Sequence, residues 1–203
     1  LLIAMSLLMV SKQAVIMKML PFDNKSECQV IVDMPEGTPL ETTQAALQAM
    51  ANDLRQLPEL QSAQLYAGTA SPINFNGLVR QYYLRSEPHQ GDIQVNLLDK
   101  SERDRKSHAI ALEARDLIQA SAARFGANVK VVEMPPGPPV MAPLVAEIYG
   151  MDYAGQQQVA EHVATVFNNT ADVVDVDTTI EAAQTRWTIV VDRDRANSLG
   201  LDQ

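Results

Sequence analysis

One cysteine, Cys28, stands among 203 residues, so no internal disulfide and no multi-thiolate metal site can form within the chain. It falls inside an alternating apolar run and reads as a small buried hydrophobe. Histidines are scarce too: His89, His108 and His162 are far apart, with no His-x-x-x-His or Cys-His spacing, and surface positions are the plainer reading. Zinc chemistry and nucleophilic catalysis therefore lack a constellation to rest on. Neither Gly-x-Gly-x-x-Gly nor Gly-Lys-Ser/Thr occurs, which leaves a nucleotide site without support. Positive charge is in deficit, 16 Lys and Arg against 25 Asp and Glu for a formal charge of −9, and a phosphate backbone would need the clustered basic surface that is missing. No catalytic residues, metal ligands or cofactors are assigned.

Long hydrophobic runs are also lacking. The opening stretch Leu-Leu-Ile-Ala-Met-Ser-Leu-Leu-Met-Val ends before Lys12, short of the roughly 20 apolar residues that cross a bilayer. It has no basic region ahead of it and no Ala-x-Ala site, so a secretory signal is disfavoured. Residues 1–19 are expected to be the C-terminal end and exit of a transmembrane helix that begins in a longer gene product, with Lys12 and Lys18 at the water interface. A buried soluble helix is the alternative. The chain as a whole, 46% hydrophobic and 20% charged, has an ordinary packing composition.

What is present is periodicity. Residues 28–34 alternate, with Cys28, Val30, Val32 and Met34 on one face and Gln29 and Asp33 on the other. Thr38, Pro39, Leu40 and Glu41 read as a helix start, Thr38 capping and Glu41 completing a capping box. Leu40, Leu47, Met50, Leu54 and Leu57 then follow at helical spacing until Pro58. Residues 60–66 predict a second strand, 67–80 a long irregular loop, and 93–98 a third strand. Ile110, Ala114, Leu117, Ile118 and Phe125 mark a second helix ended by Gly126, and 129–132 a fourth strand. The fold class is α+β: a ferredoxin-like, split βαβ unit of four mixed strands with both helices on one face.

Residues 134–143 are crowded with prolines and read as a stiff extended hinge. The pattern then restarts with a strand at 144–149, a helix at 155–167 carrying Val159, Val163, Val166 and Phe167 on one side, and strands at 173–178 and 187–191. A helix and a strand are missing from this second unit, so it is expected to be an incomplete ferredoxin-like copy with an open edge. Asp172, Asp175 and Asp177 are read as a solvated strand face rather than a cation site. Met134 and Met141 are read as hinge packing, with no third methionine to complete a soft-metal site.

The stretch Met19-Leu20-Pro21-Phe22-Asp23-Asn24-Lys25-Ser26-Glu27, then Val32-Asp33-Met34-Pro35-Glu36-Gly37-Thr38, resembles the second periplasmic half of a resistance-nodulation-division (RND) efflux permease. The Pro-rich hinge, Ala146-Glu147-Ile148-Tyr149-Gly150 and Val191-Asp192-Arg193-Asp194-Arg195-Ala196-Asn197-Ser198-Leu199-Gly200 resemble it too, in the family's order. The resemblance implies a first porter subdomain at 20–134, a hinge at 135–143 and the front of a second subdomain at 144–203. It implies a substrate-conducting, mostly periplasmic part of a proton-driven inner-membrane transporter, with no enzyme chemistry. Its partners would be the rest of the permease chain, two further copies in a homotrimer, a periplasmic adaptor and an outer-membrane channel, and no nucleic acid.

By its place after the second strand, the 67–80 loop corresponds to the family's switch loop beside the drug pocket. Two rigid units joined by a stiff hinge would open and close a cleft. Gln64, Tyr66 and Gln94 from the strands, with Asn74 and Phe75 from the loop, are the expected substrate path. Multidrug pockets are rich in phenylalanine, whereas Phe75 is the only aromatic residue in this loop. A narrower or more polar substrate, or a pocket supplied mostly by the other half of the permease, fits equally. Two alternatives stand beside this reading: a soluble tandem ferredoxin-like ligand-binding or regulatory module, and a heavy-metal or protein-export member of the same superfamily.

Overall fold

The structure, a computed structural model, describes residues 12, 24–133, 142, 144–171, 173–181 and 187–200, with the backbone alone at Phe75 and Asn76. The expected helix at 1–10, nearly all of the Pro-rich hinge, Met134, Met141 and Asp172 lie outside the described residues. Among the described residues no helix is long and apolar enough to cross a membrane.

Strand β1 (Glu27–Asp33) leads into α1 (Leu40–Leu54), and β2 (Leu60–Ala67) into a loop holding the short α2 (Phe75–Val79) and a 3-10 turn at Tyr82–Leu84. Then come β3 (Gln90–Leu97), α3 (Ser107–Phe125) and β4 (Asn128–Glu133). The sheet order is β2-β3-β1-β4, and every neighbouring pair is antiparallel. The strands are therefore not mixed as the sequence suggested. β1 and β2 do run in the same direction, but β3 lies between them, and β1 lies likewise between β3 and β4. That intercalation is the split βαβ arrangement.

Helix α1 and helix α3 pack against each other and against the sheet. Cys28, Val30 and Val32 of β1, Ile93, Val95 and Leu97 of β3 and Val131 of β4 meet Ala46, Leu47, Met50 and Leu54 of α1 and Ile110, Ala114 and Ile118 of α3. Period-2 alternation in the strands and 3.6-residue spacing in the helices direct these residues to one layer. Gly91 lets that layer close, because a Cβ there would lie 2.8 Å from Leu47 Cδ1. Gly126 ends α3 in the left-handed conformation at φ 66°, where a side chain would be strained.

Two local expectations fail. Thr38 does not cap α1; its hydroxyl donates to the Pro35 carbonyl at 2.5 Å, and Pro39 takes the cap position with no side-chain bond. Leu40 is 42% exposed, since it opens α1 before the helix reaches the sheet. Beyond the Pro-rich stretch, α4 (Tyr153–Asn168) starts two residues early, because Asp152 accepts from the Gly155 N–H at 2.8 Å. A short α5 (Arg193–Ser198) follows.

The strands expected at 144–149, 173–178 and 187–191 are not formed among the described residues. Strands exist only by pairing, and here Leu144, Val145, Tyr149, Trp187, Ile189 and Val190 are all exposed. The residues of α4 are none of them buried.

Candidate functional site

The sheet face turned away from the helices is polar but not open to water throughout. Register places Gln64 of β2 opposite Gln94 of β3, and Gln94 opposite Gln29 of β1, so three glutamines form one cross-strand row. The next row is Tyr66, Asp92, Ile31 and Lys130. Tyr66 donates its hydroxyl to Gln64 Oε1 at 2.9 Å, and Gln94 Nε2 donates to Glu27 Oε2 at 3.3 Å. Toward β1 the face is closed: Ile31 and Asp92 are fully buried and Gln29 nearly so.

The 68–89 loop contributes to that closure. Asp92 Oδ2 accepts from the Ser71 backbone N–H at 2.9 Å and from Gln29 Nε2 at 3.1 Å. Gln29 Nε2 also donates to the Ser71 hydroxyl at 2.7 Å. Arg85 reaches in from the loop's far end, donating from Nε to Asp92 Oδ1 at 3.1 Å and from one terminal nitrogen to Asp33 Oδ1 at 2.7 Å. Its other terminal nitrogen meets the carbonyls of Val32 at 2.9 Å and Gly91 at 3.3 Å. A planar fork with fixed donors suits this multipoint seat, which an ammonium could not fill.

Lys130 extends the charge pattern, lying 2.9 Å from Asp33 Oδ2 and also bonding Asp177. Burial works to raise the Asp33 carboxyl, but the Arg85 guanidinium and the Lys130 ammonium outweigh it and hold the group below the ordinary carboxylate range. Burial likewise works to lower Lys130, and the Asp33 and Asp177 carboxylates overcome it to keep the ammonium above its usual value. Asp175 pairs with Arg115 of α3 at 2.6 Å. The reading of Asp175 and Asp177 as a solvated strand face is thus corrected: Asp175 has φ 57°, which breaks strand alternation, and both carboxylates clasp cations of the first unit.

Of the residues proposed from the sequence, Gln64, Tyr66 and Gln94 share this face, while Asn74 is spent locally. Its Oδ1 accepts from the Gly77 N–H at 2.6 Å, turning the chain into α2, where Phe75 is the first residue. Gln29, Asp33, Ser71, Arg85 and Asp92 were not among the proposed residues. The polar alternation of β1 was a signal for Gln29 and Asp33; nothing local marked Arg85. Gln29 Oε1 is buried without a partner, an arrangement that invites a donor.

His108 Nδ1 lies 2.7 Å from Glu133 Oε2, away from this face. Among the described residues no group of three His, Cys, Asp or Glu could hold a metal ion. A hollow of about 300 Å³ lined by Glu36, Thr38, Glu87 and His89 lies where β1 ends and β3 begins. Chemically, the candidate face can hold a ligand through neutral amides and one phenol.

The family model described as the AcrB/AcrD/AcrF family matches residues 1–203. Two crystal structures of a heavy metal efflux pump share the fold. Crystal form II aligns at TM-score 0.62 and 22% identity, and crystal form I at 0.64 and 17%. Each alignment covers 98% of this chain and 21% of the other, so this chain spans about a fifth of their length. No curated protein matches the chain.

Proposed function

Because the chain belongs to the AcrB/AcrD/AcrF family of RND efflux permeases, we propose that it forms the substrate-conducting, periplasmic part of a proton-driven transporter in the inner membrane. Residues 20–134 act as one porter subdomain and 144–203 as the front of the next, joined by the hinge at 135–143. The working assembly is a homotrimer that meets a periplasmic adaptor and an outer-membrane channel. No covalent chemistry is performed; substrate moves past the face carrying Gln64, Tyr66 and Gln94, beside the loop with Asn74 and Phe75.

The observation that carries this reading is the glutamine row next to a long loop anchored on the same face. Amides that bond a ligand without charge, together with the aromatic Phe75 in the loop, favour a substrate of mixed polar and apolar character. In the full-length protein, Phe75→Ala should weaken export of an apolar substrate by the loss of one ring's contact with it, about 1 to 3 kcal/mol. Unchanged export at normal expression would place the path elsewhere, and a fall in folded protein would make Phe75 a packing residue.

A further inference from the structure

The two ends of the 71–85 loop come to one carboxylate. Ser71 reaches Asp92 through its backbone N–H and Arg85 through Nε, at 2.9 and 3.1 Å. Ser71 is also held by Gln29, the third member of the glutamine row. Between these feet the loop exposes Ile73, Leu78, Tyr83 and Leu84, and among its described side chains no large apolar one is fully buried. Its position rests on polar contacts at its base, and Asp92, fully buried, is the centre of them.

We propose that Asp92 is a positioning residue of the substrate path, gathering Ser71 and Arg85 so that the loop bearing Asn74 and Phe75 is set beside Gln64, Tyr66 and Gln94. The inference rests on the reading that this face conducts substrate. A carboxylate is needed because Asp92 accepts on both oxygens: Ser71 and Gln29 donate to Oδ2 and Arg85 donates to Oδ1. An asparagine has one acceptor and one donor end, so one side would face a donor with a donor. Buried donors left without acceptors move away, which leaves Arg85's bonds to Asp33 and to the Val32 and Gly91 carbonyls among the other described holds at the loop's base.

The test uses the full-length protein in membranes. Asp92→Asn should speed tryptic cleavage after Arg80 by about tenfold or more, as expected when a charged hydrogen bond is removed from a local opening equilibrium. It should also raise the apparent KM for export by about fivefold or more while the maximal rate stays within about twofold, the split expected for lost positioning. Arg85→Gln, which also gives up Asp33 and the two carbonyls, should act in the same direction and at least as strongly as Asp92→Asn, and the double variant should be no worse than Arg85→Gln alone. Arg85→Lys, which keeps the charge but not the fork, should fall between; it serves as the measure if Asp92→Asn lowers the folded level. Cleavage after Arg80 unchanged in both Asp92→Asn and Arg85→Lys would overturn the anchoring. Faster cleavage with unaltered KM and rate, for polar and apolar substrates alike, would overturn the positioning role and remove the loop from the substrate path. A slow-rate phenotype with unchanged KM would also overturn it.

Discussion

Replacing Gly91 by alanine tests how tightly the helical layer closes on the sheet. The new Cβ would lie 2.8, 3.1 and 3.2 Å from Cδ1, Cδ2 and Cγ of Leu47, and Leu47 is fully buried, so its side chain must give way against the core that surrounds it. Adding a methyl to a packed core costs about 1 to 3 kcal/mol. Against this, alanine restricts the unfolded chain and recovers about 0.4 to 1 kcal/mol. The net expectation is a loss of about 1 to 2 kcal/mol in urea unfolding followed by circular dichroism. Leu47→Ala alone should cost about 2 to 5 kcal/mol through its cavity. The double variant should cost less than the sum by about 1 kcal/mol or more, because the cavity accepts the new methyl. A Gly91→Ala protein at least as stable as the parent, or additivity within about 0.5 kcal/mol, would refute the close approach.

Two further expectations follow from buried groups. Asp33 is depressed from 3.8 and Lys130 raised from 10.5, so the Asp33 contribution is complete above pH 3.8 and lost as pH falls through its folded value. The Lys130 contribution is complete below pH 10.5 and lost as pH rises through its folded value; urea midpoints measured across pH should show this plateau, and Asp33→Asn should flatten the acid limb. Cys28 is buried and its thiol is pushed up to about 12 by burial and by Glu133 and Glu27. Thiol labelling at neutral pH should therefore proceed only at the rate of unfolding, and rapid labelling of the folded protein would contradict its place in the core.

The first unit was largely legible because its signals are local. The periodic apolar residues of α3 and the glycine at 126 located that helix and its end, alternation identified β1, and short apolar runs between turn signals located the other three strands. Antiparallel pairing throughout was not legible, since neighbour identity depends on contacts between distant segments. For the candidate face, Gln64 and Gln94 were placed by their positions in the second and third strands near the loop, but the burial of Ile31 between Gln29 and Asp33 depends on what lies over the sheet. Arg85 is 52 residues from Asp33, and no spacing rule links them. In the second region, residues 173–178 alternate like a strand, yet Asp175 at φ 57° bends the chain toward Arg115. Side-chain charge, rather than backbone pairing, decides its course there.

That course bears on how such proteins can be recombined. The 173–178 segment is fastened to the first unit by Asp175 on Arg115 and Asp177 on Lys130, with donors and acceptors on opposite sides of the Pro-rich sequence. A chimera joined within the hinge would inherit two carboxylates from one parent and would have to find matching cations, at the right places on α3 and β4, in the other. Module boundaries drawn by the proline-rich sequence are thus not the boundaries of exchangeability. A graft of residues 144–200 should carry Arg115 and Lys130 with it.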